Sequence, residues 1–310
     1  MNGALLINKN EDISSFGVIR AIKKHIKQTL GLKKYKELPK IGHAGTLDPF
    51  ATGLLVILIG KATRLSQYFL ESNKSYNGII RFGESSISGD LTSPISTISK
   101  LLPTSIDQIK TCAESFLNTP YLQTPPMHSA IKVDGIPLYK LARKGKEIKR
   151  EPKQKKIYDF KINNFNSPNA YFEVICSSGT YVRTLAQDLA KKMDTVSVLT
   201  SLTRTQSGAF SLNNALTIDE LKTTFSNITQ LETLKCWIPF DQLLSSYETL
   251  EITKEQAKEL SFGRQKTILN LIESKKNTVI IGIYFNSQLV ATAKSGEITH
   301  VFISPQKEQF

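Results

Sequence analysis

The hydrophobic pattern of the chain predicts a set of buried segments and strands. ALLIN (4–8) is a short apolar run typical of a buried strand, and LLVILIG (54–60) has the length and character of a buried segment. KSYNGIIRFG (74–83) and FEVIC (172–176) alternate apolar and polar residues, which predicts strands with one buried face. These segments are spread over the first two thirds of the chain.

Helical spacing predicts helices between these segments. Ser14 or Ser15 can cap a helix whose apolar residues are Phe16, Val18, Ile19, Ile22 and Ile26. Residues 105–117 also predict a helix. TYVRTLAQDLAKKM (180–193) predicts an amphipathic helix with one apolar face, formed by Val182, Leu185, Ala186 and Leu189. SSISGDLTSP (85–94) is rich in turn-forming residues and predicts a long exposed loop.

The pattern changes towards the C-terminal end. KEQAKEL (254–260) predicts a short helix, and two strands joined by Asn-Ser are predicted at TVIIGIYF (278–285) and QLVATAK (288–294). We therefore expect two domains, residues 1–245 and a small β-rich domain of residues 246–310.

Charge adds a candidate partner. The 310 residues carry a formal net charge of +13, which favours a polyanion such as nucleic acid, although a generally basic proteome gives the same sign. Residues 140–156 hold nine Lys or Arg and two Glu, and their first half predicts a helix with Gly145 at its C-terminal cap. Residues 21–40 hold seven Lys and one Glu, which indicates either a solvated face or an RNA contact.

The remaining composition excludes several classes. Three widely separated cysteines and four scattered histidines show no metal-ligand spacing, so we expect no metal and a reduced compartment. No secretory signal pattern and no apolar run near the roughly 20 residues of a membrane span are found. We expect a soluble cytoplasmic protein.

One short stretch concentrates candidate chemistry. GHAGTLDPFATG (42–53) holds three glycines and a single carboxylate, Asp48. Asp before Pro is also a good helix start, so Asp48 alone is more simply structural. Tyr76 alone suits a core position, and Arg183 alone suits a surface salt bridge.

Taken together, the motifs closely resemble a known family. They are GHAGTLDPFATGLLVILIGKAT, KSY, PPMHSAIKVDGIPLYKLARKG, CSSGTYVRTLAQDLA and LTRTQSGAF, with NGALLINK and WIPFDQLL at the ends. In this order they resemble the bacterial tRNA pseudouridine-55 synthases, the TruB family, over about residues 2–245. The C-terminal residues resemble a PUA-like RNA-binding domain only in outline.

The resemblance implies a fold and a reaction. The fold is an α/β (α+β) catalytic domain with a mixed, mainly antiparallel sheet. The reaction isomerises a uridine in the T-loop of tRNA, at position 55, to pseudouridine, without cofactor or metal. Asp48 is implied as the catalytic carboxylate, Arg183 as its ion-pair partner and Tyr76 as the residue that stacks on the flipped uracil.

The resemblance also implies residues that bind the substrate. Tyr181 and Leu202 line the pocket, and His43 contacts RNA, although a satisfied loop histidine is the alternative. Lys9 and Lys61 are weaker candidates for phosphate contacts. The basic window 140–156 then binds the T-arm backbone of tRNA.

The chain departs from the usual family pattern at a few positions. Lys9-Asn10-Glu11-Asp12 stands where Lys-Pro-x-Gly is usual, so a different first turn is expected. Ser86 and Ser88 replace threonines, and His128 replaces an aromatic residue. The lysine-rich segment 21–40 is longer than expected.

Other functions stay open. An RNA chaperone that folds tRNA, with catalysis secondary, would use the same surface. A guide-dependent synthase would modify ribosomal RNA with accessory proteins, but the motifs favour a stand-alone monomer that needs no protein partner. An aspartate-based phosphotransferase or hydrolase lacks the expected cluster of metal-binding carboxylates.

Overall fold

The computed structural model describes residues 1–117, 119–224, 231, 233–273 and 280–304. The strands of the first part are β1 (Gly3–Lys9), β2 (Ile41–His43), β3 (Thr52–Ile59), β4 (Lys74–Phe82), β5 (Glu84–Ser86), β6 (Ile95–Ile98), β7 (Tyr121–Gln123), β8 (Lys132–Val133), β9 (Ile136–Pro137) and β10 (Lys153–Lys155). Those that follow are β11 (Ile157–Asn166), β12 (Asn169–Cys176), β13 (Ser197–Ser207), β14 (Phe210–Ser211), β15 (Trp237–Pro239), β16 (Glu248–Glu251), β17 (Ile281–Phe285), β18 (Gln288–Lys294) and β19 (Glu297–Val301).

Helices connect these strands. They are α1 (Ser15–Thr29), α2 (Ser66–Leu70), α3 (Ile106–Glu114), α4 (Leu138–Ala142), α5 (Val182–Lys191), α6 (Ile218–Thr224), α7 (Lys254–Ser261) and α8 (Lys266–Glu273). The helices predicted for 105–117, 180–193 and 254–260 are confirmed as α3, α5 and α7.

A mixed sheet forms the centre of the larger part of the molecule. Its strands lie in the order β11-β12-β4-β13-β3-β1-β15, with β2 added to β3 and β14 to β13. The neighbours pair antiparallel, apart from β13 and β3, which run parallel. The mixed, mainly antiparallel sheet is therefore confirmed.

The apolar strands β1 and β3 lie side by side in the core. Residues 54–59 of β3 are fully buried, as the uninterrupted apolar run predicts. Helix α1 packs four of its apolar residues inward, namely Val18, Ile19, Ile22 and Ile26. The prediction that Phe16 joins this face is wrong, because at 3.6 residues per turn its direction lies roughly 100° from the centre of the stripe. Phe16 is 63% exposed.

A second, smaller sheet lies towards the C-terminal end, in the order β16-β17-β18-β19. Asn286 and Ser287 join β17 to β18 with φ of 49° and 61°, the conformation of a tight hairpin turn. The predicted strand at 288–294 is confirmed as β18. The other predicted strand begins at Ile281, and the part of that prediction before residue 280 lies outside the described residues. A separate apolar cluster that includes Ile252, Leu260 and Ile283 supports this part.

This smaller part packs against the end of β3 and helix α2. The Tyr68 hydroxyl donates to Thr292 Oγ1 at 3.0 Å, and Lys294 Nζ lies 2.7 Å from Glu71 Oε2. Lys61 Nζ donates to the carbonyl of Phe302 at 3.1 Å. Within the described ranges, we find no helix long and apolar enough to cross a membrane.

The centre of the large sheet holds a junction between two strands. Strands β3 and β13 pair only at Thr52–Thr203 and Gly53–Arg204. Gly53 has φ of 94°, and a side chain there would meet the backbone of Arg204. The segment of residues 44–51, here named the Asp48 loop, enters β3 at this junction. The sheet thus places Asp48 beside β13, and β4 lies on the other side of β13.

Candidate active site

The side chains of Ser15 and Lys9 hold the backbone of the Asp48 loop in place. Ser15 Oγ accepts from the Leu47 amide at 2.9 Å and donates to the Leu47 carbonyl at 3.1 Å. Lys9 Nζ donates to the carbonyls of Pro49, Ile13 and Asn10 at 2.8–2.9 Å. The backbone is therefore held on both sides of Asp48.

Lys9 has no exposed surface, so the structure does not place it where a phosphate could bind. Its three N–H groups are already given to carbonyls. Burial lowers the pKa of Lys9 to about 8, with the charge of Asp48 acting in the opposite direction. Lys9 is thus part of the support beneath the loop.

Asp48 and Arg183 form an ion pair. Arg183 Nε lies 2.8 Å from Asp48 Oδ2. The Arg183 side chain is only 4% exposed, whereas that of Asp48 is 35% exposed. The guanidinium is thus buried on one side of the carboxylate, and the carboxylate is open to solvent on another side. The structure brings together these two residues, which lie 135 positions apart in the sequence.

Arg183 is itself held by three further groups. Nη1 donates to the Ser88 carbonyl at 2.5 Å and Nη2 donates to the His128 carbonyl at 2.9 Å. Nε also lies 3.7 Å from Asp90 Oδ2. Because each of the three guanidinium nitrogens has a partner, the direction in which Arg183 meets Asp48 is fixed.

The prediction that residues 85–94 form a long exposed loop is wrong at three polar positions, although Ile87 between them is 70% exposed. Ser86, Ser88 and Asp90 are almost fully buried. Asp90 Oδ1 accepts from Ser88 Oγ at 2.7 Å and from the Thr92 amide at 2.9 Å. Buried polar groups need hydrogen-bond partners. These residues bond to one another, and Asp90 also lies near Arg183.

The electrostatics of Asp48 reflect this crowding. Burial raises the pKa of Asp48, the Arg183 guanidinium lowers it, and the nearby Asp90 carboxylate raises it. The net direction is upward. Arg183 therefore supplies the main interaction that keeps Asp48 ionised.

Gln123 positions the segment that carries Arg183. Gln123 is fully buried and makes two hydrogen bonds to the backbone of Tyr181, accepting from its amide at 2.7 Å and donating to its carbonyl at 2.9 Å. Its Nε2 also donates to the Tyr121 hydroxyl at 3.0 Å, which donates to Asp188 at 2.5 Å. Tyr181 precedes α5 directly, so this chain fixes the start of the helix on which Arg183 lies.

Tyr76 and Leu202 lie on the two strands beside the Asp48 loop. Tyr76 on β4 is the cross-strand partner of Arg204 on β13, and Leu202 pairs with Gly78. Burial raises the pKa of Tyr76 and the Arg204 guanidinium lowers it. Arg204 Nη2 also donates to the Gly45 carbonyl at 3.0 Å. The structure thus brings Tyr76 next to the Asp48 loop through Arg204.

His43 ends β2, one residue before the Asp48 loop. Its Nδ1 is buried without a hydrogen-bond partner, and burial together with Arg204 lowers its pKa. Lys61 is not brought to this site. The Asp48 loop joins β3 at Thr52, whereas Lys61 follows the other end of the strand, at Ile59. These two ends are about 23 Å apart, and Lys61 binds Phe302.

The basic window 140–156 lies mostly exposed. Helix α4 ends before Gly145, which has φ of 69°, and the amides of Gly145 and Lys146 donate to the carbonyls of Ala142 and Leu141. This is the Schellman arrangement, so the predicted glycine cap is confirmed. Arg150 Nη1 donates to the Pro125 carbonyl at 3.3 Å.

Comparison with known proteins decides the family. A family model described as TruB family pseudouridylate synthase (N terminal domain) matches residues 30–182. The tRNA pseudouridine synthase B of Opitutus terrae is 39% identical over 222 residues, which cover 72% of this chain and 88% of that protein. The protein of the same name from Clostridium tetani is 32% identical over 293 residues, 94% of each chain. The chain belongs to the TruB family.

Solved structures share the fold of this TruB-family chain. One, described as a Cbf5-Nop10-Gar1 complex, has a TM-score of 0.68 and 20% identity, covering 98% of this chain and 85% of that chain. Another, an H/ACA RNP bound to a substrate RNA containing 2′-deoxyuridine, has a TM-score of 0.69 and 18% identity, covering 98% and 86%. At this identity the likeness concerns the fold alone.

The departures from the TruB pattern fall where the backbone tolerates them. Asp12 replaces the usual glycine and has φ of 60°, a conformation that Asp adopts more readily than most residues. His128 contributes its backbone carbonyl to Arg183, which any residue can supply. The altered positions therefore leave the ion pair of this TruB-family site intact.

Sequence reasoning missed Asp90, Gln123 and Arg204 as parts of the TruB-family site. Asp90 is the end of the spacing Ser86-x-Ser88-x-Asp90, which could have indicated one buried polar face. Gln123 gave no signal, because its partners are backbone atoms distant in sequence. In the described part of the chain, we find no group of three or more His, Cys, Asp or Glu that could hold a metal.

Proposed function

We propose that this chain isomerises the uridine at position 55 in the T-loop of tRNA to pseudouridine, with Asp48 as the catalytic carboxylate. The observation that carries the proposal is a carboxylate open on one side and held 2.8 Å from a buried guanidinium. Membership of the TruB family and the tRNA pseudouridine synthase B relatives support the choice of reaction and substrate.

In the proposed reaction the N1–C1′ bond breaks, the uracil turns, and a C5–C1′ bond forms. C5 loses its proton and N1 gains one, so the composition of the nucleotide does not change. Asp48 either captures C1′ as the base leaves or adds to the base. The base must leave the RNA stack to expose these atoms. Arg183 holds the carboxylate ionised and aimed while RNA covers the site and removes water.

The neighbouring residues receive supporting roles in this proposal. Tyr76 stacks on the flipped uracil, and its hydroxyl, which feels the charges of Arg204 and Asp48, assists a proton transfer. Leu202 supplies an apolar wall and Tyr181 lines the pocket. His43 fills the space left by the flipped base.

Binding of tRNA is proposed to depend on the exposed cations of window 140–156, which contact the T-arm backbone without reading its sequence. Residues 1–245 would form the catalytic domain and residues 246–310 a PUA-like RNA-binding domain. We infer that the chain acts as a monomer in the cytoplasm, without a protein partner.

The test is tritium release from a tRNA transcript labelled at uridine C5, with the wild-type chain and Asp48→Asn side by side. C5 loses its hydrogen only when it bonds to C1′. Release by the wild type that disappears in Asp48→Asn, with tRNA binding retained, supports the proposal. Equal release from both would exclude the role of Asp48.

The same assay separates the alternatives. Activity on a naked transcript without added proteins would exclude dependence on a guide RNA. An Asp48→Asn variant that binds tRNA and fully restores function in cells would favour an RNA chaperone.

A further inference from the structure

Helix α1 and the segment that follows it form an excursion of the chain that starts and ends at the Asp48 loop. At its start, Ser15 holds both backbone groups of Leu47. At its end, β2 pairs with β3 over Ile41–His43 and leads directly into the Asp48 loop. The start of α1 is therefore adjacent to the site, whereas residue 40 lies at the far end of β3, where the Gly60 amide donates to the Lys40 carbonyl.

The excursion presents mainly cations to solvent. Its inner face is apolar, whereas Arg20 and several lysines are exposed, namely Lys24, Lys33, Lys34, Lys36 and Lys40. Between residues 16 and 40 the only acidic residue is Glu37. Helix α1 has 15 residues and is about 22 Å long, enough to contact several successive phosphates of a strand.

Two exposed aromatic rings distinguish this surface from an ordinary solvated face. Phe16 is 63% exposed, with the Arg20 guanidinium 5.6 Å from its ring centre. Tyr35 is 58% exposed, with Lys27 Nζ 5.5 Å from its ring centre. An exposed ring beside a cation is the combination on which RNA bases stack.

We propose that α1 and residues 30–40 form a second RNA-binding surface, named the α1 surface. It binds the tRNA strand next to the flipped uridine, with phosphates on its lysines and a base stacked on Phe16. Charge complementarity selects RNA as the occupant. The proposal rests on the proposed function and adds to it the path of the RNA beyond window 140–156.

The first test compares the salt dependence of tRNA binding between about 50 and 200 mM salt. The variant combines Lys24→Gln, Lys33→Gln and Lys34→Gln. The control removes the same charge with Lys100→Gln, Lys110→Gln and Lys191→Gln, three exposed lysines outside both proposed RNA-binding surfaces. Lys110 lies on α3, which packs on the edge strand β11, with three strands between β11 and β3. The slope of log K against log salt should fall by about 0.7–0.9 for each phosphate that the α1 variant no longer neutralises, and it should stay unchanged in the control.

The second test concerns stacking. Phe16→Ala should weaken tRNA binding about tenfold and Phe16→Trp should retain it, because every aromatic ring offers a stacking face. Tyr171→Ala is the control, since Tyr171 is also an exposed ring, at 41%, and lies on β12 on the face of the sheet opposite to Tyr76. It should bind tRNA like the wild type.

The outcomes distinguish this proposal from the proposed function. Equal slopes for the α1 variant and the control, while the wild type still releases tritium, would overturn the α1 surface alone. Loss of self-association in the α1 variant, measured by light scattering, with unchanged tRNA binding would overturn it by assigning the surface to a second copy of the chain. A wild type that neither binds tRNA nor releases tritium would overturn both proposals.

Discussion

The buried cations beneath the site and the exposed cations of window 140–156 use the same residue types in opposite ways. Lys9, Arg183 and Arg204 are almost fully buried, and their N–H groups are given to carbonyls of the surrounding loops. Most cations of window 140–156 are exposed, and we propose that they bind RNA. Basic residues in this sequence thus include some that fix the loops of the site and others that are available to a polyanion.

This difference explains why the two predicted phosphate contacts have other roles, Lys9 beneath the Asp48 loop and Lys61 against the C-terminal part. From sequence, Lys9 and Lys61 look like any other lysine near a motif. Their positions are decided by carbonyls that come from Pro49 and Phe302, far away along the chain. Net charge therefore predicts a partner for the molecule, but not which cations meet that partner.

The largest effect is expected when a buried cation beside Asp48 is altered. Arg183→Lys keeps the charge but loses the fork that meets Asp48, Ser88 and His128 together. Single-turnover tritium release should fall roughly 10²–10³-fold, which corresponds to about 3–4 kcal/mol of lost transition-state stabilisation.

The same variant should also show a shift with pH. Arg183 lowers the pKa of Asp48 against the effect of burial, so a weaker pair should let this pKa rise. The acid limb of the single-turnover rate should then move to higher pH. A rate equal to that of the wild type at every pH would mean that the fork does not matter.

A smaller effect is expected from the buried cation under the loop. Lys9→Met leaves the carbonyls of Asn10, Ile13 and Pro49 without a donor, so the free energy of unfolding at pH 7 should fall by about 2–4 kcal/mol. Denaturant unfolding measures this change. An unchanged midpoint would mean that water replaces the ammonium without cost.

The pH dependence of stability sharpens this prediction. The folded-state pKa of Lys9, about 8, lies below the ordinary 10.5, so the folded chain binds fewer protons between these values. The contribution of Lys9 to the free energy of unfolding should therefore increase as pH rises from about 8 to about 10.5. Lys74 has the same lowered pKa and that of Lys155 is also lowered by burial, so Lys9→Met should remove part of the gain and adding Lys74→Met a further part.

Much of the fold was predictable because local pattern and tertiary environment agree. The apolar runs became β1 and β3, the helical stripe of 180–193 became α5, and the glycine after α4 became its cap. Where tertiary contacts decide, pattern failed. Asp90 looks like a turn residue and is buried beside Arg183, and Phe16 looks apolar and is exposed. Asp48 and Arg183 themselves were predicted from the motif, while their supports were not.

Replacing Gln123, an uncharged residue that supports the site, should have a smaller effect on the rate than replacing Arg183. Gln123→Leu keeps the size of the side chain but removes both hydrogen bonds to the Tyr181 backbone, so α5 should begin less precisely. We expect a roughly tenfold fall in kcat with little change in KM, because the RNA-binding surface is untouched. Gln123→Glu keeps the acceptor for the Tyr181 amide and should recover part of the loss, whereas a purely structural defect would lower the unfolding midpoint of both variants alike.

The smallest effect is expected for single exposed cations of window 140–156. Lys144 and Lys149 have no buried carbonyls to satisfy, so replacing either by Gln should leave the unfolding midpoint within error. Each phosphate that is no longer neutralised should lower the salt slope of tRNA binding by about 0.7–0.9 and leave the saturated rate unchanged. A variant here that lowers the rate at saturating tRNA, with an unchanged slope, would contradict the division between the two kinds of cation, because an exposed lysine would then act on the geometry of the site.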